Sequence, residues 1–382
     1  MSKRNEASYE RFITGPIPRF DDRNGGFSKL QRGEIIDLDN LVTMQKGAAT
    51  VIERALSRDP ARKGKKGYKQ EDYALKQAGR TIDVYVRKNL FSRDSEVDEH
   101  KVDDSEKTTI TRKIKRVTGW FGADLVGICE VNPAWVYTHW GDNNAIRSGI
   151  ANSGDPIELP SWVKSAIVMV IAMDYQRLKK SPAAEGGTDL AYSKMAFTAA
   201  SVATYIRNLG YHAISCGNDL ALSIPLAVDA GLGELGRNGM LITRQFGPRV
   251  RICKVFTELS LEPDSPIDIG VQHFCERCEI CAKSCPGQAI KYGDRTDKAW
   301  DDSNSMNLLK WPVKPMNCLT YWIKNRADCA VCLRTCPFNK PEGPLHSVVR
   351  KTIETTSWFD RFFIKMDKVF KYGEQVLTEL ED

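Results

Sequence analysis

The cysteines constrain this chain more than any other residue type. Eight of its eleven cysteines fall into two groups, and each group ends in a Cys-Pro pair. The first group is Cys275, Cys278, Cys281 and Cys285, followed by Pro286, and the second is Cys318, Cys329, Cys332 and Cys336, followed by Pro337. Cysteines spaced by two or three residues meet in one tight turn, so each group can provide ligands to a metal centre.

Two kinds of metal centre fit Cys-x-x-Cys pairs: a zinc ion and an iron–sulfur cluster. The doubled run of four cysteines with its final Cys-Pro favours two [4Fe–4S] clusters, as in bacterial ferredoxins, and hence one-electron transfer. In that pattern the cysteine before proline binds the other cluster. The predicted ligands of the first cluster are Cys275, Cys278, Cys281 and Cys336, and those of the second are Cys285, Cys318, Cys329 and Cys332.

Length and composition are those of a globular protein with room for two or three domains. The chain has 382 residues, of which 42% are hydrophobic and 27% charged, and its net charge is +6. No apolar run approaches the roughly 20 residues of a membrane helix. The N-terminal residues lack the apolar stretch of a signal peptide, which predicts either a cytoplasmic protein or a mature form without its leader. No nucleic-acid partner is predicted, because no aromatic residues alternate with the basic ones.

Alternating strand-like and helix-like segments predict an α/β or α+β core at residues 115–262. A cluster module is predicted at 263–345. Residues 1–114 are expected to form an arm and a helical region that wrap the core, and residues 346–382 a helical tail. The clearest segments of the core are Asp124–Cys129, Ala166–Met173, Leu190–Leu209, Tyr211–Cys216, Ile224–Ala230 and Val250–Leu259.

The tail contains an amphipathic pattern from Trp358 to Tyr372. Its apolar residues recur at helical spacing, so they share one side of the predicted helix. This side is expected to pack on the protein, and a partner or membrane surface is the alternative. The residues concerned are Phe362, Phe363, Met366 and Phe370.

A Gly-x-Gly-x-x-Gly sequence formed by Gly231, Gly233 and Gly236 matches the dinucleotide-binding fingerprint in its letters. That fingerprint requires a strand before it and a helix after it. Here a helix-like segment precedes the glycines and a strand-like segment follows. The three glycines are therefore predicted to form a loop that lets a flat or large ligand approach the backbone closely.

From about residue 115 to 345 the chain resembles the catalytic subunits of corrinoid-dependent reductive dehalogenases. The resemblance implies an α+β protein: a nitroreductase-like, α/β-type core that binds base-off cobalamin, with a ferredoxin-like module of two [4Fe–4S] clusters. In such enzymes Co(I) removes halide from an organohalide, and a proton and a second electron complete the replacement of C–Cl by C–H. Besides the cysteines, the resembling segments are Leu190–Met195, Leu209–Ala213, Gly217–Asp219, Ala230–Gly239 and Phe246–Arg251.

The resemblance also implies roles for individual residues. Tyr192 corresponds to the tyrosine that donates the proton, Arg251 to its basic partner, and Asn218 to the asparagine beside them. A guanidinium stabilises a neighbouring tyrosinate, so these residue types suit proton delivery.

Thr188, Trp322 and Trp135 are predicted to line the substrate pocket. A dry, aromatic pocket suits small chlorinated hydrocarbons, which offer no polar groups for recognition. The expected substrate is therefore a chlorinated alkane or alkene. The predicted cofactor-binding residues are Gly231, Gly233, Gly236 and Asn238.

Two other functions remain open at this point. Epoxyqueuosine reductase also joins a corrinoid to two [4Fe–4S] clusters but acts on tRNA, and the short tail after Cys336 carries no clear basic face for it. A non-catalytic electron-transfer subunit would contain iron and no cobalt. The set of Tyr192, Asn218 and Arg251 favours the dehalogenase.

The resemblance implies partners and a location as well. Respiratory members take electrons from the respiratory chain, are joined by a small membrane-anchor subunit, and lie at the outer face of the cytoplasmic membrane after twin-arginine export. A soluble member would be cytoplasmic. A homodimer is a further expectation.

Overall fold

The computed structural model describes residues 7–34, 65–80, 82–83, 97–149 and 151–377. Within these ranges an antiparallel sheet of four strands, in the order β1–β2–β6–β3, forms the centre of the core. A separate two-stranded hairpin joins β4 to β5. The strands are β1 (Leu125–Glu130), β2 (Ser165–Ala172), β3 (Ala213–Cys216), β4 (Glu234–Leu235), β5 (Leu241–Ile242) and β6 (Val250–Thr257).

Helices surround this sheet and build most of the cluster module. Among the described residues, no helix is both long enough and apolar enough to cross a membrane. Short 3₁₀ helices lie at Tyr9–Phe12, Asp22–Asn24 and Pro133–Trp135. The α-helices are α1 (Gly26–Gln31), α2 (Gln70–Gly79), α3 (Lys107–Trp120), α4 (Asp142–Ser148), α5 (Tyr175–Leu178), α6 (Gly187–Arg207), α7 (Ser223–Asp229), α8 (Val271–Arg277), α9 (Ile280–Ser284), α10 (Pro315–Asn325), α11 (Val331–Arg334), α12 (Pro344–Thr355) and α13 (Asp360–Val369).

Strand β2 is the buried centre of the sheet. Its run of Val, Ile, Met and Ala from Ala166 to Ile171 is fully buried, as expected for a strand covered on both faces. It pairs with β1 on one side and with β6 on the other, where Ile171 lies opposite Arg251. The antiparallel pairing makes the core α+β.

The alternation of side chains along β6 turns neighbouring residues towards opposite layers. Arg251 faces the long helix α6, where it lies over the ring of Tyr192. Lys254 faces the other layer, where its ammonium donates to the Ser223 hydroxyl at the start of α7 at 3.0 Å. The sheet therefore lies between α6 and α7.

The N-terminal arm lies against this core. Tyr9 and Phe12 are buried, with 4% and 1% of their surface exposed. Farther along the arm, Arg19 donates to the carbonyls of Val136, Tyr137 and Ile157. These contacts fix the arm along one side of the core.

The buried side of the tail helix α13 matches the predicted one only in part. Phe362 and Phe370 are 56% and 58% exposed, so the prediction that they pack on the protein was wrong, whereas Phe363 does pack against the core of the cluster module. Asp360 is buried instead, between His273 and Arg277, and Asp367 is paired with Lys340. These ion pairs orient the helix, because a buried carboxylate requires a partner more strictly than an aromatic ring requires cover.

Candidate active site

Three polar side chains meet between helix α6 and the sheet. Tyr192 lies in the second turn of α6, Asn218 follows β3, and Arg251 is the second residue of β6. The Asn218 side-chain amide donates to the Tyr192 hydroxyl oxygen at 3.1 Å. The guanidinium carbon of Arg251 lies 4.9 Å from the centre of the Tyr192 ring. A donor on the oxygen and a cation over the ring both favour a negative charge on Tyr192.

A second guanidinium beside Tyr192 was not predicted from the sequence. Arg80, just after α2, lies with its guanidinium carbon 5.5 Å from the centre of the same ring. Its Nε is 3.4 Å from the carboxylate of Asp189. Arg80 is one of many basic residues in its part of the chain and belongs to no motif, so the sequence carried no signal for this contact.

A buried network of charges lies next to Arg80. The Lys76 ammonium is 2.6 Å from Asp189 and 3.0 Å from Asp328. Burial favours the neutral acid, but Lys76 outweighs this effect and holds the pKa of Asp328 below its ordinary value. Asp328 directly precedes Cys329, so the network connects the helix of Tyr192 with the second cysteine group.

A cavity of about 390 Å³ opens between the core and the cluster module. This volume lies in the usual range for small-molecule and cofactor sites. Asn218 and Arg251 line it together with Tyr9, Tyr137 and Asn238. Its apolar wall includes Leu222, Ile224, Leu235, Leu241, Ile252, Leu308 and Trp311.

The three predicted pocket residues lie outside the lining of this cavity. Trp135 is fully buried and packs edge-on against Tyr9 at 5.2 Å, so it supports a lining residue from behind. Thr188 is buried, with its hydroxyl 3.5 Å from the Met173 sulfur. Trp322 lies one turn after Cys318 on α10 and packs against Phe27 at 5.9 Å.

The glycines of the Gly-x-Gly-x-x-Gly sequence mainly serve the packing of the backbone. A Cβ on Gly231 would lie 2.5 Å from the Ser265 carbonyl oxygen, and one on Gly233 would lie 2.2 Å from that of Ile242. Neither glycine lines the cavity. Gly236 lines a second, smaller cavity between cysteines. Asn238, by contrast, lines both cavities.

The four cysteines predicted to hold the first cluster lie together around one small cavity. Burial first, then the neighbouring thiolates, raises the pKa of Cys281 well above its ordinary value. In the second group the same causes raise the pKa of Cys318 to about 11. Thiols with such values stay neutral unless a metal centre stabilises the thiolates. The smaller cavity is lined by Cys275, Cys278, Cys281 and Cys336. The thiols that interact with Cys332 are Cys285, Cys318 and Cys329 of its own predicted set and Cys336 of the other, so the division of the ligands between two clusters stays a prediction.

Arg237 anchors the loop of the first cysteine set. This arginine is 1% exposed, and its guanidinium makes five hydrogen bonds to four backbone carbonyls. It also lies 4.5 Å from the Trp311 ring. The sequence reasoning missed this role, although Arg237 directly follows the glycine sequence. The acceptors are the carbonyls of Cys275, Cys278, Lys291 and Gly293.

We expect Arg237→Met to lose the first cluster, because four buried carbonyls would lose their donor and the cysteine loop would open. The iron content should fall from about eight to about four atoms per chain, since each cubane holds four. Arg244→Met is the control, because Arg244 is 44% exposed and pairs with Glu354, away from the cysteine loop. Full iron in Arg237→Met would show that the loop holds its shape without this anchor.

The residues around the cysteines match a known family. Residues 274–340 match the family described as the 4Fe-4S dicluster domain. This match decides between zinc and iron–sulfur clusters in favour of the latter. Together with the antiparallel core, it defines an iron–sulfur protein of α+β fold.

Two curated relatives cover most of the described core. The chain is 37% identical over 279 residues to a tetrachloroethene reductive dehalogenase of Dehalobacter restrictus, with 64% of this chain and 50% of that protein covered. It is 33% identical over 308 residues to the tetrachloroethene reductive dehalogenase of Sulfurospirillum multivorans, with 75% and 62% covered. The chain is a relative of the reductive dehalogenases, and it spans about half the length of the first of these proteins.

Solved structures show the same fold. A catabolic reductive dehalogenase superposes with a TM-score of 0.76 at 22% identity, over 95% of this chain and 48% of that chain. Another reductive dehalogenase, whose structure suggests a mechanism for B12-dependent dehalogenation, superposes with a TM-score of 0.66 at 23% identity. The match covers 86% of this chain and 46% of that chain. The predicted α+β fold with a ferredoxin-like module is confirmed.

The alternative relative is more distant. An epoxyqueuosine reductase of Lactococcus garvieae is 26% identical over 124 residues, which cover 31% of this chain and 32% of that protein. The match is therefore both shorter and weaker than those to the dehalogenases.

Proposed function

We propose that this chain is the catalytic part of a reductive dehalogenase that uses cobalamin and two [4Fe–4S] clusters. The observation that carries the proposal is the contact of Tyr192 with two residues that line the cavity between the core and the cluster module. Asn218 and Arg251 line the cavity, and both contact Tyr192. The proposed proton donor is thus in contact with two residues of the cavity wall, although Tyr192 itself is not among the lining residues.

The residues of the cavity suit a corrinoid. A corrin is a flat, largely apolar ring whose edge carries amide groups, and the cavity offers an apolar wall with the amides of Asn218, Asn238 and Asn304. The buried Nε of Arg251 has no hydrogen-bond partner among the described residues, so it is available to a polar group of a bound ligand. When bound, cobalamin would supply the low-valent cobalt that breaks the carbon–halogen bond reductively.

The chain's own residues would carry the proton and the halide. The overall reaction takes R–Cl, two electrons and one proton to R–H and chloride. Tyr192 would give its hydroxyl proton to the substrate carbon, and Asn218 and the Arg251 guanidinium would stabilise the tyrosinate. Arg251 remains charged throughout, so it can also attract the departing halide.

Electrons would reach the cavity from the first cysteine set. Asn238 lines both the large cavity and the small cavity between the cysteines. Its side-chain amide is 3.5 Å from the Cys332 carbonyl of the second set. The two cavities thus share a lining residue, which supports direct transfer from the first cluster.

The apolar wall supports a small chlorinated alkene or alkane as the substrate, since such molecules offer no groups for polar recognition. The two curated relatives are tetrachloroethene reductive dehalogenases, which favours an alkene. The base-off form of the cofactor, the respiratory electron donor, the membrane-anchor subunit, the homodimer and the location at the outer face of the membrane stay predictions.

The test is halide release under anoxic conditions. The protein is reconstituted with iron, sulfide and cobalamin, reduced with a viologen dye, and given chlorinated ethenes, alkanes and phenols. We expect chloride release that requires cobalamin and is fastest with the ethenes. The matched control is the same preparation without cobalamin.

The absence of chloride from every compound, with both cofactors verified as bound, would contradict the proposal. A preparation that takes up iron but no corrinoid would instead indicate an electron-transfer subunit. Both results are distinguishable, because cobalt and iron are measured on the same sample.

A further inference from the structure

The charges along the cavity are of one sign. Arg251 lies at the end next to Tyr192, and Lys310 lies on the wall formed by the cluster module. Within the described part of the chain, no aspartate or glutamate belongs to the lining of the cavity. A cavity with two cations and no carboxylate favours an anionic ligand. Arg251 is already engaged with Tyr192, so Lys310 is the cation that needs an explanation.

The backbone of Lys310 is fixed on all sides. Its N–H donates to the Thr296 carbonyl at 3.1 Å, and its carbonyl accepts from the Thr296 N–H at 2.8 Å. On one side, Leu309 donates to the carbonyl of Phe12 in the N-terminal arm at 2.7 Å. On the other side, the Trp311 indole donates to the Gly293 carbonyl at 2.8 Å. The backbone of Lys310 is therefore held at a defined place, and the residue forms part of the cavity wall.

No carboxylate of the described residues pairs with the Lys310 ammonium. Burial lowers the pKa of Lys310 to about 8, because the charged form loses water without gaining a counterion. An unpaired, half-buried lysine is costly unless a ligand provides the missing negative charge. The nearby polar residues Asn304 and Ser305 line the same wall.

We infer that Lys310 binds the phosphate of the nucleotide loop of the corrinoid. This inference rests on the proposed function. The propionamide and acetamide side chains of cobalamin are neutral, so the phosphodiester is the one anionic group on the part of the cofactor that surrounds the ring. Lys310 would hold that phosphate as a point charge, while the apolar wall holds the ring.

The experiment compares two corrinoids that share the ring. Cobinamide lacks the phosphate and the nucleotide, and cobalamin has both. Dissociation constants of the two cob(II) forms are measured by absorbance titration of the cluster-loaded protein. The variants are Lys310→Met, Lys310→Arg and the control Lys298→Met, which removes an exposed charge from the same module.

We expect Lys310→Met to weaken cobalamin binding about tenfold or more, in line with the loss of a charge-assisted contact. Cobinamide binding should change by less than about twofold, and this unchanged binding also shows that the variant is folded. Lys310→Arg should keep most of the affinity for cobalamin, and Lys298→Met all of it.

Equal weakening of both corrinoids, or no weakening of either, would overturn the role of Lys310 and leave the proposed function intact. If inorganic phosphate fails to compete with cobalamin on the wild-type protein, the phosphate contact is also refuted. If the wild-type protein binds neither corrinoid, the proposed function fails together with this inference.

Discussion

Tyr192→Phe is expected to lower the rate of halide release by about 10²–10⁴-fold, the usual contribution of a positioned general acid. Phenylalanine keeps the ring between the guanidinium groups of Arg80 and Arg251. It removes only the hydroxyl that accepts from Asn218 at 3.1 Å. The loss should therefore appear in kcat, with the iron and cobalt contents and the cofactor spectrum unchanged.

The matched control is Tyr205→Phe, because Tyr205 lies on the same helix α6 and outside the cavity lining. Chloride release by this variant should equal that of the wild type. A wild-type rate in Tyr192→Phe would remove Tyr192 as the proton donor and leave solvent or a neighbouring group in that role.

Arg251→Lys is expected to lower the rate by about 10- to 100-fold. Lysine keeps the positive charge but loses the flat guanidinium that lies 4.9 Å from the Tyr192 ring, and it cannot provide two parallel donors. The steady-state rate and the pH profile are measured together. Because tyrosinate would be less stabilised, proton transfer should become slower at every pH where the wild-type enzyme is active.

Arg116→Lys on the exposed side of α3 is the control for the same substitution. An unchanged rate in Arg251→Lys, with Arg116→Lys also unchanged, would mean that a simple cation suffices and that the stacked geometry has no part in the reaction.

The strongest sequence patterns gave the best predictions. The apolar run from Ala166 to Met173 is a buried strand, β2, and the helical spacing from Leu190 to Leu209 corresponds to helix α6, which ends two residues earlier. In both segments many residues contribute to the same hydrophobic pattern, so a single residue that departs from the pattern does not change the prediction. The cysteine spacing was equally informative, because cluster geometry restricts the ligands.

The glycine sequence shows a limit of such reasoning. A Gly-x-Gly-x-x-Gly stretch indicates a close approach to the backbone, but it does not say what approaches. At Gly233 the neighbour is the Ile242 carbonyl oxygen of the chain's own hairpin, not a ligand.

Other contacts depend on segments that are distant in sequence. Arg80 and Tyr192 are more than one hundred residues apart, and so are Tyr9 and Trp135. No local pattern distinguishes these residues from others of their type. Lys310 is a similar case, because only the folded cavity shows that no carboxylate shares its lining with this lysine.

The composition of the cavity wall also affects how a bound molecule enters and leaves. Its wall combines Tyr9 of the N-terminal arm, Val250 of the sheet and Leu308 of the cluster module. The arm is tied across to the module, where Thr14 donates to the Asn307 carbonyl at 2.9 Å. Because the arm closes over the cluster module at this contact, opening of the contact would widen one side of the cavity. The residence time of a bound molecule is therefore expected to depend on local unfolding of the arm as well as on the strength of the molecule's own contacts.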